Sequence, residues 1–448
     1  MAAPTVELSG WGRRPRALCS LYRPEKRQHL VSLLTTGEGT RIARGLGRSY
    51  GDQALNPQGV ISLERLDRML SFDDESGVLV CEAGVSLADI LSVFLPRGWF
   101  PGVTPGTKHV TVGGAIANDV HGKNHHVDGS FAAWTLGFTL LTPAGEVLEC
   151  SRELNPEVFW ATLGGAGLTG VVLLAAIRLR RVTSAFMKVD YRQVANLDDL
   201  MGTLEVHDPR HTYSVAWVDA LARGRSLGRG VTMHGDHLEA EFLPARWGPP
   251  LATRPRGTIA VPCDMPAGLM NRATVGAFNE VFWRVHRTRY ACVVPLEPYF
   301  YPLDRLHAWN RLYGAGGFVQ YQVAFPFATA RRGLARVLER LSSVGAASFL
   351  AVIKRFGDAT PGPLSFPMPG YTLALDLPFQ RETPGLLAQL DAAVLEHGGR
   401  LYLAKDSQTD ARTLRAMYPD LDAFRDLRER LDPDRRLSSL QAVRLGLV

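Results

Sequence analysis

The chain has 448 residues, 46% of them hydrophobic and 21% charged, the balance of an ordinary globular protein. That length exceeds the roughly 250–300 residues at which one core stops growing, so two or three lobes are expected. The 50 basic and 44 acidic residues leave a net charge of +6, too diffuse for nucleic acid and better suited to a phosphorylated substrate or an anionic lipid surface.

No window approaches the roughly 20 apolar residues of a membrane span. Arg13-Arg14 has no apolar run behind it, so neither a secretory signal nor a transmembrane segment is expected. The reading is of a cytoplasmic protein or one held peripherally at a membrane. Cys19, Cys81, Cys150, Cys263 and Cys292 are odd in number and lack C-x-x-C spacing, and read as reduced.

From Thr40 to Arg181 short β-rich runs alternate with Gly, Pro and Asp turns. The strand-like Arg41–Ala43 runs into Arg44-Gly-Leu-Gly-Arg-Ser-Tyr-Gly-Asp52. There Gly45, Gly47 and Gly51, with Ser49, can turn successive N–H groups toward an anion, and Arg48 adds charge. A tight surface turn is the alternative. It is neither a dinucleotide G-x-G-x-x-G opening a helix nor a P-loop. Strands are predicted at 59–63, 77–82, 134–141 and 170–179, and a helix at 87–95 with Ser86 as N-cap and Gly98 closing it.

Thr104 to Ser130 is a polar loop with almost no helix-forming run, carrying His109, His121, His125 and His126 among glycines. It suits a large cofactor lying against the backbone. A metal is not expected, because the histidines complete no familiar ligand pattern. Trp160 to Gly170 is a third glycine-rich turn, entering an apolar strand. A turn between core strands is its plainer reading. Three such nests within 170 residues suit an extended dinucleotide.

A second lobe is expected from Val182, with strands at 187–194 and 213–219 and helices at 334–344 and 386–397. Glu241 to Thr258, rich in Pro, Arg and Gly, reads as a mobile surface loop. The tail is predicted as a strand over 400–404 and helices near 412–417 and 421–431. Lys405 ends that strand, where partial burial would lower its pKa and suit it to proton handling. A solvated strand-end lysine is the alternative.

Together these stretches resemble the vanillyl-alcohol-oxidase-type FAD oxidoreductases, and within them the decaprenylphosphoryl-β-D-ribose 2′-oxidase branch. The likeness rests on GLGRSYGD at 45–52, PGTKHVTVGGAIANDVHGKNHH at 105–126, FWATLGGAGLTG at 159–170, WNRLYGAGGFVQYQ at 309–322 and RLYLAKDS at 400–407. HGKNHH and AKDS are particular to the branch.

The resemblance implies an α+β, two-lobed fold. Residues 1–183 would form a PCMH-type FAD lobe, 184–399 an antiparallel-sheet substrate lobe, and 400–448 a segment returning to the first. It implies noncovalent FAD held by Arg44 to Gly51, Gly106, Thr111, Val112, Gly113, Gly114, Asn118, Asp119, Val120, His121, Gly122, Val172 and Tyr402. Lys405, His121 and Gln322 are implied at the reacting centre, and Lys123, Trp217, Arg311 and Lys354 around the substrate.

The implied substrate is a polyprenyl-phosphate-linked pentose, oxidised at its 2-hydroxyl. A separate NAD(P)H-dependent short-chain reductase would complete an epimerisation of ribose to arabinose for cell-wall polysaccharide, and quinone or oxygen would take the electrons. Relatives often carry Cys at Ala374 and Tyr at Phe300, and an acidic residue at Leu440. The first two departures put the substrate in question, and an alditol or aldonolactone oxidase of the same fold is the rival.

Overall fold

In the computed structural model, residues 3–36, 38–252, 257–266 and 268–448 are described. Strands β1 (Thr5–Ser9), β2 (Arg16–Tyr22), β3 (Ile42–Arg44) and β4 (Val60–Ser62) form a mixed sheet of order β1-β2-β4-β3. A second sheet of six strands holds β5 (Met69–Asp73), β6 (Val78–Glu82), β7 (Trp99–Pro101), β8 (Thr135–Leu141), β9 (Val147–Ser151) and β10 (Val171–Arg181). Its long strand β10 pairs antiparallel with β6, β7 and β8. Val171, Val172 and Leu173 are buried in succession, as a strand covered on both faces requires; toward Arg181 the pattern alternates as one face meets solvent.

The second lobe is built on eight antiparallel strands. These are β11 (Phe186–Val194), β12 (Tyr213–Val218), β13 (Gly230–His237), β15 (Arg289–Pro295), β17 (Phe318–Pro326), β18 (Ala351–Phe356), β19 (Gly370–Pro378) and β20 (Arg400–Leu401), in the order β15-β11-β13-β12-β18-β19-β17-β20. A small parallel pair, β14 (Ile259–Ala260) with β16 (Leu306–His307), lies outside it. The helix Phe327–Val344 covers one face of the sheet with Ala330, Leu334, Val337, Leu338 and Leu341, a helical stripe. The architecture is α+β with two lobes.

The helix Leu87–Phe94 starts where predicted, because Ser86 and Asp89 form a reciprocal capping box and Leu87, Ile90, Leu91 and Phe94 share the buried face. One element was missed and three expectations are corrected. The N-terminal hairpin β1–β2 was not foreseen: β1 is half-exposed throughout and shows little apolar contrast. Thr104 to Ser130 is not helix-free, since Val112–Ala117 and His125–Asp128 each form a short helix. The strand predicted over 400–404 stops at Leu401, and Lys405 lies in a turn closed by its own N–H to Tyr402 O at 2.9 Å. Because β20 pairs with β17, the eight-stranded sheet reaches past residue 399.

Of the loop over 241–258, residues 253–256 lie outside the described residues; before them it carries two short 3-10 turns, and Pro250 O accepts from Ala185 N at 2.8 Å. The tail packs on the first lobe. Arg41 bridges Leu437, and Arg444 reaches Asp52 at 2.8 Å and Asp406 at 2.9 Å.

Candidate active site between the lobes

The first glycine motif is pinned from two directions. Trp11 N donates to Ser49 O at 2.8 Å, and Tyr50 N donates to Ala404 O at 3.0 Å, so the N-terminal turn and the tail both hold it. Arg44 folds back onto Ser9 O at 2.7 Å and Ala54 O at 3.3 Å. Gly47 has φ 64°, and a Cβ there would lie 2.2 Å from Arg44 Nη2, so this turn needs glycine. In the second motif Thr111 Oγ1 caps the helix Val112–Ala117 through Gly114 N at 3.2 Å. Gly113 N donates to Ala83 O at 2.8 Å and Tyr402 Oη to Asn118 O at 2.8 Å, which draws motif, sheet and tail together.

These loops wall a cavity of about 670 Å³ that runs from the first lobe onto the eight-stranded sheet. From the first lobe come Arg44, Gly45, Leu46, Gly47, Arg48, Ser49, Tyr50, Gly106, Thr111, Gly113, Gly114, Asn118, Val120, His121, Gly122, Lys123 and Val172. From beyond it come Trp217, Gln322, Lys354, Ala374, Phe300, Tyr402 and Lys405. The third motif contributes Thr162, Ala166, Gly167 and Gly170.

Three buried polar atoms of lining residues, Gln53 Oε1, Asn118 Oδ1 and His121 Nδ1, have no hydrogen-bond partner among the described residues. Together with glycine-walled backbone on three sides, they fit an extended, flat, polar-rimmed cofactor.

Four expected residues do not line the cavity. Val112 is core, fully buried, with its N–H on Val85 O. Asp119, also fully buried, accepts from Ala132 N, Thr360 Oγ1 and Ser365 Oγ and so organises the loop from behind. At Gly51 a Cβ would lie 2.3 Å from Asp406 O, so that glycine admits the tail and not a ligand. Arg311 turns outward and is held with Arg13 on Asp264.

At the cavity's centre Gln322 Nε2 lies 2.8 Å from His121 Nε2 and 3.2 Å from Thr372 Oγ1. Burial, with the positive charges of Lys354 and Lys405, holds His121 well below the ordinary histidine range, so it is neutral. Lys405 Nζ stands 3.9 Å over the Tyr50 ring. Burial lowers the Lys405 pKa to about 7, Asp376 opposing and Lys354 adding to the effect. Lys354 falls to about 8 through burial alone. Lys123, lowered by burial to about 7, donates to Tyr299 O at 2.6 Å and Phe300 O at 3.3 Å and so shapes the wall. An amine titrating near neutrality can accept a proton, and a neutral imidazole beside it can orient a hydroxyl.

Gln320 and Asp376 were not foreseen. Gln320 shares a sheet face with Gln322 at a spacing of two, and Asp376 is the one charge in the otherwise apolar β19; both were signals in the sequence.

Two family models match the chain: one described as FAD binding domain over residues 21–151, and one described as D-arabinono-1,4-lactone oxidase over residues 375–445. The decaprenylphosphoryl-beta-D-ribose oxidase of Mycolicibacterium smegmatis is 39% identical across 99% of this chain and 98% of its own. The chain belongs to the decaprenylphosphoryl-β-D-ribose oxidase family. It is an FAD-dependent oxidoreductase of the vanillyl-alcohol-oxidase type.

A protein of Streptomyces coelicolor described as lying in the mprA 5′ region is 40% identical over 81% of this chain and all of its own. L-gulonolactone oxidase of Scyliorhinus torazame is 31% identical over 38% of each chain, a far more partial likeness. Within the family frame the glycine loops and Asn118 would hold FAD, and Lys354 and Gln322 from the large sheet and Lys405 from the turn after β20 would face its ring. No described helix is long and apolar enough to cross a membrane.

Proposed function

We propose that the chain oxidises the 2-hydroxyl of a polyprenyl-phosphate-linked pentose, of the decaprenylphosphoryl-β-D-ribose kind, to a 2-keto sugar. The observation that carries this is the gathering of Lys405, Lys354 and neutral His121 in one buried cavity, with burial lowering both amines toward neutrality. Such a site attracts an anionic, hydroxyl-bearing ligand and can take up its proton. FAD, when bound, supplies the hydride acceptor. Lys405 takes the hydroxyl proton, His121 and Gln322 orient the sugar, and Lys354 and Trp217 bound its place. We read the cofactor as noncovalent, His121 Nε2 being engaged by Gln322.

The cavity mouth suits a lipid. Phe278 and Phe282 line the cavity from the helix Arg272–Val285, while Phe278, Val281 and Val285 are 43%, 61% and 65% exposed. Arg272, Arg284, Arg287 and Arg289 lie on or beside this face, all exposed. An exposed apolar helix face with arginines on and just past the same helix, Arg284 among them paired with Glu280 at 2.6 Å, supports peripheral contact with an anionic membrane. The reading includes quinone or oxygen as electron acceptor and a separate NAD(P)H-dependent short-chain reductase that consumes the keto sugar, completing epimerisation toward arabinose.

The lactone-oxidase model over residues 375–445 favours a second reading, oxidation of a free polyol or sugar lactone. Anaerobic bleaching of the flavin separates the two. Bleaching by a prenyl-phosphoryl ribose and not by free polyols or lactones supports the first; the reverse moves the chain to the second.

A further inference from the structure

Asp376 is a fully buried carboxyl in the middle of β19. Register places it opposite Gln320 on β17, as Ala374 stands opposite Gln322, so it shares the sheet face that lines the cavity. Gln320 Nε2 donates to Asp376 Oδ1 at 2.6 Å and also to Tyr50 Oη at 3.3 Å. Tyr50 in turn lays its ring 3.9 Å beneath Lys405 Nζ, and Phe318 braces that ring edge-on at 5.6 Å. Asp376 N donates to Ser348 Oγ at 3.1 Å, and Tyr313 Oη stands 3.5 Å from Asp376 Oδ2.

A buried carboxyl is costly unless something answers its charge. Burial raises the Asp376 pKa to about 7 against the pull of Gln320, Lys405 and Tyr313, and Lys405 is the one cation among the described residues that bears on it. The groups that face Lys405 are Tyr50 from the first motif, His121 from the second, Lys354 from β18 and Asp376 from β19. Its chain neighbour Asp406 is turned away, onto Arg444 at 2.9 Å.

We propose that Asp376 is a positioning residue, which through Gln320 and Tyr50 fixes where Lys405 presents its amine and, by its charge, how readily that amine holds a proton. This rests on the reading of Lys405 as the base. Lys354 works in the opposite sense, so the two neighbours set the base between them.

The test is the pH profile of kcat/KM for holoenzyme carrying Asp376→Asn, which keeps an oxygen for Gln320 and removes the charge. The acid limb moves to lower pH by about half a unit or more, and turnover on the alkaline side falls several-fold because a more acidic ammonium leaves a weaker base. Lys354→Met moves the limb to higher pH. An unmoved limb in Asp376→Asn overturns the proposal. Should Asp376→Asn not yield holoenzyme, Gln320→Met cuts the link to Tyr50 and removes a donor that keeps Asp376 ionised; kcat falls and the limb again moves to lower pH, and an unchanged kcat with an unmoved limb overturns the proposal. Lys405→Met is the control: an acid limb that survives there removes Lys405 as the base, a distinct failure that takes this proposal with it.

Discussion

Gln322 Nε2 lies 2.8 Å from His121 Nε2, although 201 residues separate the two in sequence and they come from different lobes. The amide nitrogen donates, so His121 accepts at Nε2 and carries its own proton on Nδ1. That Nδ1 has no partner among the described residues, and the imidazole is boxed by Phe356, Phe366 and Tyr402 with ring centroids at 4.8, 5.7 and 5.2 Å. One hydrogen bond thus fixes the tautomer of a neutral histidine and leaves a single donor free.

Replacing Gln322 by Leu removes that bond and leaves a buried imidazole nitrogen unsatisfied, a cost of about 1–3 kcal/mol. Turnover falls by about tenfold or more while FAD content holds. A variant with full kcat and an unchanged melting temperature contradicts the assignment.

Lys405→Met abolishes proton uptake without opening the cofactor cradle. Turnover drops by roughly 10²–10⁴-fold, the worth of a positioned general base, and the protein stays yellow. In the unaltered enzyme the base must be neutral, so activity is full above the Lys405 pKa of about 7 and is lost as pH falls through it. A rate that is flat from pH 5 to pH 9 speaks against Lys405.

At Gly47 the backbone has φ 64° and a Cβ would collide with Arg44 Nη2. Gly47→Val must therefore unfold the first motif, and FAD is lost on gel filtration. If the variant elutes with a full complement of flavin, the motif does not hold the cofactor.

Arg444 joins Asp52 to Asp406, whose side chains are only 6% and 4% exposed. Arg444→Met strands two buried carboxylates and detaches the tail from the first motif. Because the guanidinium is itself 24% exposed, the loss is put at about 2 kcal/mol, below the roughly 3–5 kcal/mol of a fully buried broken pair. Denaturant titration reads it as a lower midpoint. An unchanged midpoint shows that the tail is held by packing alone.

The short-range features were legible in the sequence. Ser86 and Asp89 announce a helix start at a spacing of three, and Gly45 and Gly47 mark a turn that side chains cannot enter. HGKNHH and AKDS carried the family. Less was legible where position depends on a partner far along the chain. Lys405 looked like a strand end and is a turn residue, because β20 finds pairing on β17 for only two residues. Arg311 looked like a cavity residue and is an ion-pair partner of Asp264. Val112 and Asp119 lie within a cofactor motif yet are buried away from the cavity, since the short helix that Val112 opens and Asp119 follows exposes only part of its surface to the cavity.

The sequence by itself determined the two-lobed α+β class and the glycine-rich turns, because local backbone freedom and strand periodicity are written into neighbouring residues; the residues expected at the reacting centre came from the family resemblance. Only the tertiary structure decided which of those residues meet. The pairing of β17 with β19 set Gln320 against Asp376, and the folding of the second motif onto the substrate sheet set His121 against Gln322. Register and lobe packing are non-local, and they alone turned separate lysines, a histidine and a carboxyl into one buried, mutually titrating site.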